Sequence, residues 1–154
     1  MKLVVGASAG GHANELQILL RHAQGLWPAQ PAAYITTMAI AASGFDTGGR
    51  PVHVIGECDR RKPLQAVAVL GRTLWLAFQE RPDVVVTTGS MPLALFCIWS
   101  KLLGAKVVWI DSVAQIEALS VSGRLMRRVA DLCLAQWPAV AARYRGVEYA
   151  GEVL

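Results

Sequence analysis

An imidazole directly after two glycines is the first place in this sequence where chemistry could be done. Gly6-Ala7-Ser8-Ala9-Gly10-Gly11-His12 follows Lys2 to Val5, a short run that is apolar after one charge. It precedes Ala13-Asn14-Glu15-Leu16-Gln17-Ile18-Leu19-Leu20, which has helical spacing. A strand, glycine-rich turn and helix in that order let backbone N–H groups approach a ligand, and the helix N-terminus favours negative charge. The expectation is a site for a phosphate-bearing ligand, with His12 in reach of it. An imidazole titrates near neutral pH, so His12 is a general base, a phosphate donor, or a histidine that only caps its loop. Glu15 falls in the first helical turn, where helix electrostatics alone would account for it.

Two further turns carry polar groups. Thr88-Gly89-Ser90 follows the apolar run Val84-Val85-Val86-Thr87, and Asp111-Ser112 follows the run from Lys106 to Ile110. Asp111 and Glu117 offer paired carboxylates that could orient His12, bind sugar hydroxyls or accept a proton; simple solvation competes, above all for Glu117. Arg124, Arg127 and Arg128 include a pair three residues apart, which sets two cations near one helix face. That face is either solvated or in contact with anionic headgroups. Trp99, Trp109 and Trp137 read as core.

The elements that must position these groups alternate. After the first helix, Trp27-Pro28-Ala29-Gln30-Pro31 is a connection, and Ala32 to Met38 holds a second strand. Ala42 to Arg50 is a glycine-rich loop and Pro51 to Ile55 a third strand. Glu57 to Lys62 is polar and ends in Arg60-Arg61-Lys62. Pro63 opens a helix to about Glu80 whose wide apolar stripe (Leu64, Val67, Leu70, Leu74, Trp75, Phe78) is assigned to core packing. Val84 to Thr87 is a strand buried on both faces. The helix Pro92 to Leu103 is apolar nearly all round, so it is buried or touches a membrane or partner. Gly104 ends it. The strand Lys106 to Ile110, a loop Ser120 to Gly123, a short basic helix Arg124 to Ala130, a strand Leu132 to Ala135, a helix from Trp137-Pro138 to about Tyr144 and a strand Val147 to Tyr149 follow. This alternation implies right-handed crossovers and a Rossmann-like parallel sheet with helices on both faces, in one domain. Ligands bind such sheets at the carboxyl ends of the strands, where residues 6–15, 87–92 and 111–123 converge.

Composition narrows the function classes. The 154 residues are 54% hydrophobic and carry a net charge of +4. Residues 120–146 hold five arginines against Asp131 alone, which accounts for all of that charge. Such a basic surface beside apolar segments suits anionic headgroups or diphosphates. Nucleic acid is disfavoured, because no reading helix and no basic–aromatic interleaving is present. Cys58, Cys97 and Cys133 lack metal-ligand spacing and read as free thiols in a reducing compartment; no metal site is expected. The N-terminal run breaks at Gly6, unlike a signal peptide, and no apolar run reaches the roughly 20 residues that span a bilayer. A cytoplasmic, peripheral protein is expected. Gly6-x-Ser8-x-x-Gly11 lacks the middle glycine of the dinucleotide fingerprint, and Tyr34-Ile35-Thr36-Thr37 supplies no acidic residue for a ribose. The absence of Gly-Lys-Ser/Thr excludes a P-loop.

Several runs together carry a resemblance. They are Gly10-Gly11-His12-x-x-Glu15, Pro82-Asp83-Val84-Val85-Val86-Thr87-Thr88-Gly89, Val108-Trp109-Ile110-Asp111-Ser112, and Glu117-Ala118-Leu119-Ser120-Val121-Ser122-Gly123-Arg124-Leu125. Ala130-Asp131, Gln136-Trp137-Pro138 and Tyr149-Ala150-Gly151 complete them. The chain resembles the asparagine-linked glycosylation protein 14 family and its bacterial PssD-type relatives in exopolysaccharide synthesis. The Leu-Ser-x-Ser-Gly run with Gln-Trp-Pro is specific; the Gly-Gly-His turn is shared with wider MurG-like glycosyltransferases.

The resemblance implies the N-terminal half of a split GT-B glycosyltransferase. A small partner, of the asparagine-linked glycosylation protein 13 or PssE type, would bind the nucleotide sugar, so no cofactor is expected on this chain. The pair would act at the cytoplasmic membrane face on a polyprenyl-diphosphate-linked acceptor. Gly10 and Gly11 match the turn expected to cradle the diphosphate, and His12 matches the histidine expected to be the base. Asn14 and Glu15 lie in the first helix, where Glu15 matches the family glutamate. Thr88, Gly89, Ser90, Ser112, Ser120, Ser122 and Gly123 are expected at the acceptor. Asp111 stands where eukaryotic members usually have glutamate, which keeps the carboxylate but shortens its reach. Arg124, Arg127 and Arg128 are expected at headgroups, and Trp137, Tyr149, Gly151, Val153 and Leu154 at the partner. The eukaryotic N-terminal membrane helix has no counterpart here. Two alternatives remain open: a non-catalytic scaffold that activates its partner, and a freestanding nucleotide-binding Rossmann protein.

Overall fold

The computed structural model describes residues 1–59 and 61–151, with Ile40 and Ala41 by their backbone only. Arg60, Val153 and Leu154 therefore lie outside the described residues. The elements are β1 (Leu3–Ala7), α1 (Gly11–His22), β2 (Pro31–Thr36), α2 (Ala39–Ala42), β3 (Val52–Val54), α3 (Pro63–Glu80) and β4 (Val84–Thr87). α4 (Met91–Leu102), β5 (Lys106–Ile110), α5 (Val121–Met126), β6 (Leu132–Ala135), α6 (Pro138–Arg143) and β7 (Glu148–Tyr149) follow. All seven strands are parallel, in the order β3-β2-β1-β4-β5-β6-β7.

Strand alternation builds the two larger of three core clusters among the described residues. Val4, Ala33, Ile35, Val85, Val107 and Trp109 pack with Leu76 and Ala77 of α3, α4 residues such as Leu93 and Phe96, and Met126 of α5. Leu3, Val5, Tyr34, Val86 and Ile110 pack on the other face with Ala13 and Leu16 of α1. Gly6 serves this packing: a Cβ there would sit 2.8 Å from Leu93 Cδ2, so α4 approaches β1 closely only over a glycine.

Three expectations change. First, the α3 stripe is not core. Val69, Thr73, Leu76, Ala77 and Glu80 form its buried side, while Leu64, Val67, Trp75 and Phe78 are 86%, 65%, 62% and 49% exposed. The helix is apolar on both sides, and periodicity cannot say which one packs. Second, the basic helix begins earlier. Ser120 caps it, its Oγ accepting from the Gly123 N–H at 2.8 Å, so α5 covers 121–126 rather than 124–130. Third, the loop from Ala42 to Arg50 is preceded by a one-turn helix, α2, too short for a periodic signal. α4 buries Pro92, Leu93, Ala94, Phe96, Cys97 and Ser100 against its neighbours, while Leu102 at its end is 72% exposed.

Candidate functional site at the sheet's switch point

The strand order reverses between β1 and β4, because α1 leads away to β2 and α4 leads the other way to β5. Open parallel sheets bind ligands at such a point, beyond the carboxyl ends of both strands. Two backbone turns face it. Gly10 has φ +84°, a conformation that glycine adopts without cost, and a Cβ on Gly10 or Gly11 would meet nothing within 4 Å. The approach to the first turn of α1 is therefore open. On the other side Gly89 has φ +115° and Ser90 φ +113°. A residue with a side chain costs about 1–3 kcal/mol in that region. The Ser90 hydroxyl is also buried without a hydrogen-bond partner among the described residues. The strain lies directly ahead of α4, whose first N–H groups have no intrahelical acceptor.

His12 bridges the two turns. Its Nδ1–H donates to the Thr88 carbonyl oxygen at 2.7 Å, and Thr88 Oγ1 donates back to the His12 carbonyl oxygen at 2.7 Å. A carbonyl can only accept, so the neutral ring carries its proton on Nδ1. Nε2 is left as the ring's acceptor, which is the tautomer a general base needs. A Cβ at Gly89 would only touch this ring, 3.4 Å from His12 Cε1 and 3.5 Å from the Trp109 ring, so it is the positive φ that favours glycine there.

The carboxylates are committed elsewhere. Asp111 is 2% exposed. It accepts from the Ser120 N–H at 2.8 Å, from Ser120 Oγ at 2.6 Å and from Trp109 Nε1 at 3.4 Å. It makes no hydrogen bond to His12 and is buried; the shorter acid is anchored to its own loop. Ser120, bonded to Asp111 and Gly123 and 3.2 Å from Ser122 Oγ, is likewise taken up in the loop. Gly123 belongs to the same buckle: its Cβ would fall 2.6 Å from Asp111 Oδ1. The Leu-Ser-x-Ser-Gly run is thus a loop closure built on Asp111. Glu15, also buried, accepts from Ser112 Oγ at 2.9 Å, the Val113 N–H at 3.2 Å and Gln136 Nε2 at 3.2 Å. Gln136 Nε2 donates as well to the Asp111 carbonyl at 3.0 Å. Glu15 therefore ties α1 to the ends of β5 and β6, more than the helix electrostatics expected of it.

The remaining expected residues are more dispersed. Asn14 and Glu117 are exposed, and the Glu117 carbonyl accepts from Arg143 at 2.7 Å. Arg127 is turned inward: its guanidinium lies 5.7 Å from the Tyr144 ring centre, and Nη1 donates to the Arg145 carbonyl at 3.4 Å. It is removed from the headgroup set, while Arg124 and Arg128 stay exposed on or beside α5. Trp137 Nε1 donates to the Val113 carbonyl at 2.6 Å. Tyr149 is exposed, and Gly151 borders a cavity of about 170 Å³ with Leu19, His22 and Ala135. Gln136, Trp109 and the strain at Ser90 carry more of the site than their sequence signals suggested; a serine between glycine and a helix-starting proline was the signal for the last.

Solved structures share this architecture. Acinetobacter baumannii MurG matches 91% of the chain with a TM-score of 0.72 at 16% identity, over 43% of its own length. The UDP-GlcNAc 2-epimerase of Methanocaldococcus jannaschii matches 99% with a TM-score of 0.67 at 15% identity, over 46% of its length. The fold is that of one domain of GT-B-type proteins. Residues 55–153 match the family model described as "Oligosaccharide biosynthesis protein Alg14 like". The chain belongs to that family. Its relatives include proteins named "UDP-N-acetylglucosamine transferase subunit ALG14": the mouse protein is 22% identical over all of this chain and 83% of its own length. The Schizosaccharomyces pombe protein is 35% identical over 47% of the chain and 37% of its own length. The aligned region spans less than half of the human relative, at 43%.

Proposed function

We propose that this chain is the acceptor-binding half of a two-component glycosyltransferase. It holds a polyprenyl-diphosphate-linked acceptor at a membrane surface, and a small GT-B C-terminal-half subunit supplies the nucleotide sugar. The observation that carries this reading is His12 held by Thr88 at the switch point, with Nε2 left as acceptor. In the reaction His12 Nε2 takes the proton of the acceptor hydroxyl as its oxygen bonds to the sugar's anomeric carbon. The bond from that carbon to the nucleoside diphosphate breaks, with inversion. The acceptor's own diphosphate lies against the Gly10-Gly11 and Gly89-Ser90 turns, where two helix N-termini supply N–H groups. Support for a partner comes from the relatives, which are named as subunits of a transferase.

His12→Ala, purified as the complex with its partner, tests the reading. Transfer to lipid-linked acceptor should fall by about 10²–10⁴ while the complex stays assembled. Full activity in the assembled variant refutes the base and leaves the scaffold reading. That second reading draws on one observation: Asp111 and Glu15, the buried acids beside the switch point, both serve the fold.

A further inference from the structure

We propose that the cleft between the carboxyl-end half of α1 and residues 45–50 is a binding site for a small sugar phosphate. The cleft measures about 330 Å³ and lies on the α1 face of the sheet, toward the amino ends of β2 and β3. Pro31, which starts β2, and Arg50, two residues before β3, both line it. Arg21 in its wall lies nine residues along α1 from His12, about 14 Å of helix. The cleft is therefore a different place from the switch point, and the proposal does not depend on the function assigned there. Three hydrogen bonds hold its walls. Gln17 Nε2 donates to the Gly44 carbonyl at 2.7 Å, Arg50 Nη1 to the Pro31 carbonyl at 3.0 Å, and the Tyr34 N–H to the Pro51 carbonyl at 2.9 Å. Tyr34 and Phe45, with ring centres 5.7 Å apart, form the apolar floor.

The chemistry of the lining selects the occupant. Arg21 and Arg50 set two guanidinium groups against one acid, Asp46. Arg21 is exposed and makes no ion pair with a described residue, and Arg50 spends one guanidinium N–H on Pro31 and keeps the others. Tyr34 is buried, yet its hydroxyl has no hydrogen-bond partner among the described residues. Burial first and then the Asp46 carboxylate push this phenol up, against a smaller downward pull from Arg50, so it stays protonated and able to donate. Two guanidinium forks and a phenol together suit a phosphate. The carbonyl end of α1, close to Gln24, favours cations by itself; Arg21 in the last turn offsets it. Asp46 would repel a bare anion but accepts from a hydroxyl, and Gln24, Gln30 and Thr47 add amide and hydroxyl partners. The occupant must therefore carry an anionic head and several hydroxyls on one small frame. A pentose or hexose phosphate does, and its C–H face can rest on the edges of Tyr34 and Phe45. A nucleotide base would need an open aromatic face, whereas these rings are only 6% and 8% exposed. The role is binding alone: histidine, cysteine and lysine are absent from the described lining residues.

The test is titration calorimetry of the full chain in phosphate-free buffer with glucose 6-phosphate and ribose 5-phosphate, beside free glucose and inorganic phosphate. The thermal midpoint is followed in parallel. Saturable binding of a sugar phosphate, a raised midpoint, and binding of glucose and of phosphate weaker by about tenfold or more are expected. Arg21→Gln removes one charge-assisted contact and should weaken the sugar phosphate by about tenfold or more. Tyr34→Phe, which keeps the ring against Phe45, should weaken it by about three- to tenfold. Asp46→Asn should reduce the preference for sugar phosphate over inorganic phosphate. Arg21 and Asp46 are exposed, and an unchanged midpoint without ligand establishes that each variant is folded. Absence of saturable binding of either sugar phosphate up to about 10 mM overturns the proposal. So does binding that Arg21→Gln and Tyr34→Phe both leave unaltered, which would place the ligand elsewhere on the chain. Inorganic phosphate bound as tightly as the sugar phosphates also overturns it, by reducing the cleft to a site for an adventitious ion only.

Discussion

Gly123→Ala puts the Asp111 buckle to a quantitative test. The new methyl carbon would lie 2.6, 2.8 and 2.9 Å from Oδ1, Cγ and Oδ2 of Asp111. The carboxylate cannot swing aside, because it is buried and held by Ser120 N–H, Ser120 Oγ and Trp109 Nε1. Recovering ordinary contact near 3.4 Å needs a movement of about 0.8 Å from one partner. That weakens two hydrogen bonds to a charged group, each worth about 1.5–3 kcal/mol. Partial loss of both gives a destabilisation of about 2–4 kcal/mol. For a domain of this size the thermal midpoint should fall by roughly 6–12 °C. Gly71→Ala is the control. It sits on the outer face of α3 with no atom within 4 Å of a new Cβ, and its φ is not positive. Relief of backbone entropy should stabilise the protein there by about 0.5–1 kcal/mol. Scanning calorimetry and urea unfolding measure both. A Gly123→Ala midpoint within about 2 °C of the parent would refute the rigid buckle.

Two further outcomes follow from titratable groups. Asp131 is partly exposed; burial opposes its ionisation, but hydrogen bonds from Lys101 at 2.5 Å, the Val107 N–H at 2.9 Å and Lys106 at 3.0 Å outweigh it and hold the carboxyl well below the usual range. A depressed folded value means stability present above the unfolded value near 3.9 and lost as pH falls through the folded one. Asp131→Asn should therefore flatten the acid-side loss of stability below about pH 5 and cost on the order of 1 kcal/mol at neutral pH; an unchanged acid limb in urea titrations would contradict it. Burial raises all three thiols, Cys133 up to about 12 and Cys97 further. Cys97 and Cys133 are enclosed while Cys58 is partly accessible. A disulfide reagent should label Cys58 in the native protein and all three thiols after denaturation, as mass spectrometry would show.

Much of the fold was legible because most of the longer elements announce themselves. Val84-Val85-Val86-Thr87 and Val107-Val108-Trp109-Ile110 lack polar alternation, as strands covered on both faces must. Prolines open α3, α4 and α6 at the first or second position. The three turns at the strand ends follow from the alternation alone. The outer face of α3 did not, because a helix with two apolar sides gives one broad signal, and only the tertiary structure assigns each side. Asp111 was visible as a strand-end acid, but its use depends on a loop that returns Ser120 across nine residues to bind it. The sequence reading paired Asp111 with Glu117; the geometry pairs it with Ser120.

That reassignment changes what the opening turn must accomplish. With Glu15 and Asp111 both tied into loops, His12 is the titratable side chain held between β1 and β4, and its Nδ1 is already used. A base without a carboxylate behind it gains no electrostatic help from an ion pair when it becomes an imidazolium. The carbonyl of Thr88 supplies that help as a fixed dipole, and it remains a good acceptor in either protonation state. The backbone just past β4 would thus do for the proposed base what an orienting acid does in other sites. It follows that the geometry of the Thr87–Ser90 turn, including the positive φ at Gly89 and Ser90, sets the position of the proposed base. The strain at Ser90 and the placement of His12 are two consequences of one backbone path.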